Sequence, residues 1–454
     1  MSNPNESSTQ TVKTQPFAWV VLAIAFLYSV SAAMLWFSVP PMARGIIPTY
    51  IFQLGPENIQ ANFGALMSHL SIAATIAALL STWLQNKIGI KNIMLIGTAF
   101  VVAGSITAAL SGNDYTILVV SRWLAGCAVG FVAVSGTTAI SLWFGPGRRG
   151  LAMAIWGIWV PVAMLIVYNL IAPQALISHE LVINGQTVMT DYGDPVMVYP
   201  NIHFVWWVIA VIAVVAFILA LAVYRNPAGE RTGQISVQKT SLREGAQYLK
   251  NRRVIGLLLC MLFYTFVSTC FVTYNVTFFT SQLGMETAAA NGIASIASAA
   301  AVISPLFGLV LDKMHPNKKY IMIVIGGVAY VVAFILGFKD WGTALFFIYI
   351  IAMVFANASL VASIRPTMPM LVGKGGFTAV TIGMAGVAFM ANFGQVFTNF
   401  YGVAIDRLGW EPASWVVGLP LAAMILVTAV MVRPGKKDRL PEGSTKPAVE
   451  ESSK

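Results

Sequence analysis

The sequence predicts an all-α integral membrane protein, with twelve transmembrane helices in two pseudo-symmetric bundles of six. The first observation is compositional. Of 454 residues 57% are hydrophobic and only 10% charged, with mean hydropathy +0.77, whereas soluble domains carry about 25% charged residues. The second is the recurrence of apolar runs of about 20 residues, the length a helix needs to cross the hydrocarbon. The third is that Lys and Arg gather on one side of those runs.

The runs fall at 17–39, 61–83, 91–111, 115–142, 150–173, 204–224, 253–279, 287–311, 319–337, 343–364, 375–402 and 411–432. Turn chemistry or charge separates them, as in GND at 112–114, FGPGRRG at 144–150 and FKDWG at 338–342. Residues 1–16 read as a polar cytoplasmic tail. The run after it is too long for a signal-peptide core, so it is expected to remain as the first span. The remaining division is a bundle over 17–224, a basic cytoplasmic linker over 225–252, a second bundle over 253–432 and a cytoplasmic tail over 433–454. In the linker, Ser241 with Glu244 three residues later forms a capping box that predicts an amphipathic surface helix. In the outer segment 174–203, Asn184-Gly185 between alternating apolar residues predicts a tight hairpin. That segment fits either a connecting flap or a lid over an outer vestibule.

With both termini cytoplasmic, the cytoplasmic segments hold 23 of the 27 basic residues, which is the asymmetry of the positive-inside rule. Only Arg44, Lys339 and Arg407 fall outside, and Arg122 is left within a span. The net charge of +10 is thus a topology signal, and no nucleic-acid partner is implied. Cys127, Cys260 and Cys270 all lie in apolar runs, without metal-ligand spacing or a disulfide framework.

The halves echo each other at corresponding inward loops: TWLQNKIGIKNIML at 82–95 and GLVLDKMHPNKKYIM at 308–322. Asn86-Lys87 aligns with Asp312-Lys313. Related six-span halves are an architecture of transporters, with the substrate held between them near the midplane. Taken together, the chain resembles the major facilitator superfamily over nearly its whole length, and most of all its organic-anion and cyanate-permease-type branches. The signature glycine, acid and base are Gly308, Asp312 and Lys313; the first-half copy carries Thr82 and Asn86 in place of glycine and acid. SRWLAGCAVG at 121–130 resembles the fourth-span motif, and WFGPGRRGLAMAIWGIWVP at 143–161 the start of the fifth span. The resemblance implies that Gly308, Asp312, Lys313, Asn86 and Lys87 belong to a cytoplasmic latch. It also implies that spans one, four, seven and ten line the cavity, which selects Tyr28, Trp36, Arg122, Tyr264 and Asn357 as substrate-binding candidates.

An ionisable group inside a span is a functional-site hypothesis by default. Arg122 lies eight residues past Asp114, about 12 Å along a helix. One reading has it snorkel back toward Asp114. Another follows its face, which it shares with Gly126, Gly130, Ala133 and Thr137; small residues mark close packing or a cavity wall. No Asp or Glu lies well inside a span, so an anionic substrate could supply the countercharge through a bidentate contact. His69 is the midspan group suited to physiological titration and the candidate for proton linkage. Span eleven adds a polar stripe of Asn392, Gln395 and Asn399; the first two join the substrate-binding candidates, with interhelical hydrogen bonding as the alternative. Trp156 and Trp159 fit an apolar wall or aromatic packing.

No catalytic motif, nucleotide site or metal site is present, so neither an enzyme nor a cofactor is expected. The expectation is a multi-pass monomer of the plasma (inner) membrane. It would move a small organic anion of monocarboxylate type by alternating access, alone or with H+, Na+ or a counter-anion. The alternatives are an exporter or facilitator of neutral or amphipathic compounds, and a membrane sensor that binds without transport.

Overall fold

The computed structural model describes residues 16–144, 146–183, 186–188, 197–225, 250–340, 342–372 and 376–435. Twelve helical passes run through them. Nine contain a stretch long and apolar enough to cross a membrane, and the helix Tyr320–Leu336 is a shorter apolar one. The other two passes, eight and eleven, are broken helices: Thr287–Ala299 and Ser304–Lys313 around a tight turn, and Gly376–Gln395 and Thr398–Leu408. A helix satisfies its own backbone groups, so it can be apolar all round and still sit in lipid.

Local chemistry sets the ends. Span one is Phe17–Trp36 and stops short of residue 39, because Pro40 and Pro41 offer no amide to continue the ladder. Spans two and three form the run Ile59–Ala109 and are parted by the kink at Gly89, whose φ of 78° only glycine takes without strain. Span four, Tyr115–Trp143, begins on Asp114, whose carboxylate accepts from the Thr116 and Ile117 amides at 2.7 and 3.3 Å. Span ten, Thr343–Val372, runs eight residues beyond the expected 364 and carries Arg365, Pro366 and Pro369 within the helix. The basic residues of one end also cap carbonyls: Lys91 reaches Leu221 O at 2.8 Å, where span six (Phe204–Ala222) ends. Likewise Arg253 of span seven (Arg252–Ser281) reaches Val432 O at 3.0 Å, the last residue of span twelve. A cation is stabilised at the negative end of a helix dipole.

The helices pack as two sets, spans one to six and seven to twelve. We call the end bearing Lys87, Lys91, Arg148, Lys313, Lys318 and Lys319 the basic end, and the opposite one the flap end. The flap strands pair antiparallel, Val182 with Thr187 and Ile183 with Gln186, as a hairpin about Asn184-Gly185 requires. A second pairing joins His179–Glu180 to Met197–Val198. Residues 184 and 185, the linker helix expected about Ser241 and Glu244, and the distal C-terminal tail lie outside the described residues.

Hydrogen bonds between the two sets cluster toward the flap end. One edge joins span two to spans seven and eleven through Ser71–Gln395 (3.4 Å), Ser68–Asn399 (3.3 Å) and Tyr274–Gln60 (3.1 Å), with Asp406 on the Gln60 and Ala61 amides. The other edge carries Arg44–Thr287, Asn291–Pro41 and Asn169–Ser295 at 3.1, 3.3 and 3.0 Å. The deepest of these bonds is the one between Ser71 and Gln395. All of these cross-half bonds lie on the flap side of the spans that make them.

Candidate functional site

Arg122 is completely buried. Its Nη1 donates to Leu35 O at 2.8 Å and Ser38 Oγ at 3.4 Å, and its Nε to Ser121 Oγ at 3.4 Å. Ser38 is held in turn by Trp206 Nε1 at 3.1 Å. The side chain therefore grips the last turn of span one, just where the prolines stop the helix. The compensation that the sequence lacks as a carboxylate comes from a helix C-terminus and two hydroxyls, a placement that favours a cation by up to ~2 kcal/mol when partly buried. Asp114 is engaged in capping span four and does not draw Arg122 outward. Nη2 finds no acceptor among the described residues.

Of the two readings of the small-residue stripe on span four, close packing or a cavity wall, the structure bears out close packing. A Cβ on Gly126 would collide with Leu70 O, and one on Gly130 would sit 2.7 Å from both Ala74 O and the Ala77 Cβ. Glycine here lets spans two and four meet backbone to backbone. Tyr28 likewise faces into the first bundle: it is fully buried, its hydroxyl accepts from Ser135 at 3.4 Å, and it fills the space that Gly97 leaves. Trp36 stacks on Phe37 at 4.5 Å between ring centroids and leans on Trp159, which stacks on Trp156 at 5.7 Å. Trp156 donates to Ser29 at 2.9 Å, so these rings form a packed wall.

In the second bundle Asn357 collects three donors on one oxygen: Tyr330 at 2.7 Å, Ser268 at 3.1 Å and Tyr264 at 3.4 Å. Three spans, seven, nine and ten, are joined there by neutral groups. Nearer the flap end Tyr349 donates to Asn275 at 2.5 Å. Arg365 is exposed on span ten, within electrostatic range of the Tyr264 hydroxyl. The apolar run expected for this span ends at 364, which places Arg365 with the cytoplasmic basic residues, one position beyond it.

Gln395 accepts from Ser71 and Asn399 from Ser68, so the polar stripe of span eleven is engaged across the seam. Asn392, one turn before, is buried. His69 points to the other side of span two, against the exposed Trp123 of span four, with ring centroids 6.1 Å apart. Of the latch residues, Lys87 covers the Trp83 ring at 3.8 Å within its own helix. Gly308 lies in the helix Ser304–Lys313, which Lys313 ends, exposed. The side chains of Asn86 and Asp312 lie outside the described residues. Asp406, absent from the sequence-based candidates, proves central to the seam. It lies fourteen residues after Asn392 and prolongs the stripe Asn392, Gln395, Asn399.

Helices in two related sets, joined at one end and carrying polar groups between them, define a multi-pass membrane protein of the transporter class. The chain belongs to the Major Facilitator Superfamily, which matches residues 21–379. It is similar to a crystallised D-xylose–proton symporter, with TM-score 0.69 at 14% identity over 95% of this chain and 99% of that one. It is also similar to the nucleoside transporter NupG, with TM-score 0.63 at 17% identity over 91% and 98%. Among curated proteins it is 26% identical to myo-inositol transporter 2 of Schizosaccharomyces pombe over 42% of this chain and 33% of that protein. It is 29% identical to the galactose–proton symporter of Escherichia coli over 23% and 22%. These matches span a third or less of each relative's length.

Proposed function

We propose that this chain is an alternating-access transporter of a small, neutral, hydroxyl-bearing solute, and that its present arrangement is the one open to the cytoplasm. Positive-inside charge makes the basic end cytoplasmic. The observation that carries the reading is the double row of cross-half bonds at the opposite end, Ser71–Gln395, Ser68–Asn399 and Asp406 on one edge and Arg44–Thr287, Asn291–Pro41 and Asn169–Ser295 on the other. Among the expected substrate-binding residues, Trp36, Tyr264, Asn357, Asn392 and Gln395 are uncharged, and donors and acceptors of that kind suit hydroxyls. The sugar, inositol and nucleoside transporters to which the chain is similar support the same class. Proton coupling is the natural companion, given two proton symporters among them.

An organic anion is the second reading, favoured by the Arg122 Nη2 that has no acceptor and by the exposed Arg365. Uptake into proteoliposomes of labelled hexoses, polyols and nucleosides, against a panel of monocarboxylates, separates the two. Saturable uptake of neutral solutes alone is expected. Uptake confined to carboxylates, lost in Arg122→Ala, would replace the first reading with the second.

A further inference from the structure

The first turn of a helix has amides with no partner inside the helix, and a side chain or water must accept from them. Span two starts after the turn Pro56–Asn58, and the Asn58 side chain makes no capping bond. The acceptor arrives instead from the other half. The two carboxylate oxygens of Asp406, on Thr398–Leu408, accept from the Gln60 and Ala61 amides at 2.9 and 2.8 Å. Charge-assisted bonds of this kind are stronger than neutral ones, and the helix N-terminus adds its dipole. Among the described residues no Lys or Arg pairs with Asp406, and Lys339–Glu411 is the one ion pair. Around the clasp the chains close tightly: Tyr274 OH lies between the carbonyls of Gln60 and Thr398, at 3.1 and 3.2 Å. A Cβ on Gly402 would strike Gln60 O and Tyr274 OH.

We infer that Asp406 is a detachable N-cap for span two, a positioning residue that holds the outer gate shut and biases the protein toward its cytoplasm-open state. The inference rests on the alternating-access reading. When the outer end parts, the carboxylate and the two amides must separate and rehydrate, so the clasp stabilises one state and leaves the other untouched. A cap supplied within span two would stabilise both states equally and could not act on the balance between them. The bonds of the other edge, Arg44–Thr287, Asn169–Ser295 and Asn291–Pro41, use no carboxylate.

The test is a distance measurement across the outer end. Spin labels are placed at the exposed Asn201 and Gln282, with Cys127, Cys260 and Cys270 replaced by alanine, in the full-length chain in nanodiscs. Wild type should show a dominant short and a minor long distance. Asp406→Ala should raise the ratio of long to short roughly tenfold, the scale of losing charge-assisted bonds. Asp406→Asn should fall between, since its amide keeps an acceptor without the charge. Glu411→Gln, which breaks the pair with Lys339 inside one half, should leave the ratio unchanged. A folded, monodisperse Asp406→Ala with the wild-type ratio would overturn the clasp, as would an equal shift in Glu411→Gln. If wild type keeps a single distance with every solute tried, the alternating-access reading itself fails, and the clasp falls with it.

Discussion

The two halves brace the same joint with opposite chemistry. Arg122 is the eighth residue of span four and Tyr349 the seventh of span ten. Each reaches the span that opens its own half: Arg122 to Leu35 and Ser38 of the first, Tyr349 to Asn275 of the seventh. The first half uses a buried cation on a helix end that prolines have interrupted. The second has an unbroken span seven, with no loose carbonyl to cap, and relies on neutral bonds within a lattice of rings. Phe271 alone stacks or tilts against Tyr330, Phe334, Phe338 and Tyr349 at centroid distances of 4.4 to 6.0 Å. A charge thus serves where the first helix stops at its prolines, and neutral bonds serve where the seventh runs on.

That contrast breaks most visibly at Arg122. Arg122→Ala takes from Leu35 O the charged one of its two donors, leaving the Ser38 hydroxyl at 2.9 Å, and removes the cation from the helix end, an expected loss of about 2 kcal/mol. Thermal unfolding in detergent should show it, together with a drop in transport of tenfold or more. Arg122→Lys should recover only part, because an ammonium lacks the planar fork that serves two acceptors at once. An Arg122→Ala protein as stable as wild type would show that span one needs no cap.

The second half should yield in steps no larger than that. Asn357→Ala deprives three hydroxyls of their acceptor and should cost about 2 kcal/mol, whereas Tyr349→Phe removes one bond and should cost about 1 kcal/mol. Equal losses in the same unfolding assay would mean that rings, and not the amide, carry that half. The smallest effect belongs to His203 before span six, whose Nδ1 lies 3.5 Å from Tyr50 OH. Burial holds its imidazole below the ordinary range, so the neutral form is favoured in the folded state. Its contribution is complete above about pH 6.5, the unfolded value, and fades as the pH falls below that. His203→Gln should flatten the acid limb of a stability–pH profile; an unchanged profile would assign that limb elsewhere.

Much of this fold was legible because the bilayer imposes one length and one polarity on every crossing segment. Helix breaks were harder to foresee. The apolar run of span ten ends at 364, before Arg365-Pro366, yet proline is tolerated inside spans where neighbours satisfy the freed carbonyl. The site was harder still. The glycines of span four report a close neighbour without saying which one, and the neighbour is span two. Arg122 was conspicuous as a charge, but its partner is a backbone carbonyl, which no side-chain pattern announces. Asp406 continued a visible stripe and could have been found by extending it past the expected end of span eleven. What no periodicity could supply is that its target is the start of span two, 345 residues away.

The flap offers a practical consequence. Its roots, Leu176, Tyr199 and Ile202, crowd over Gly45 in the first half, where a Cβ would meet the first and last of them at 2.9 and 3.1 Å. An antibody fragment recognising the paired strands His179–Glu180 and Met197–Val198 beside those roots would therefore ride with the first half, adding mass for electron microscopy while leaving the partner half free to swing.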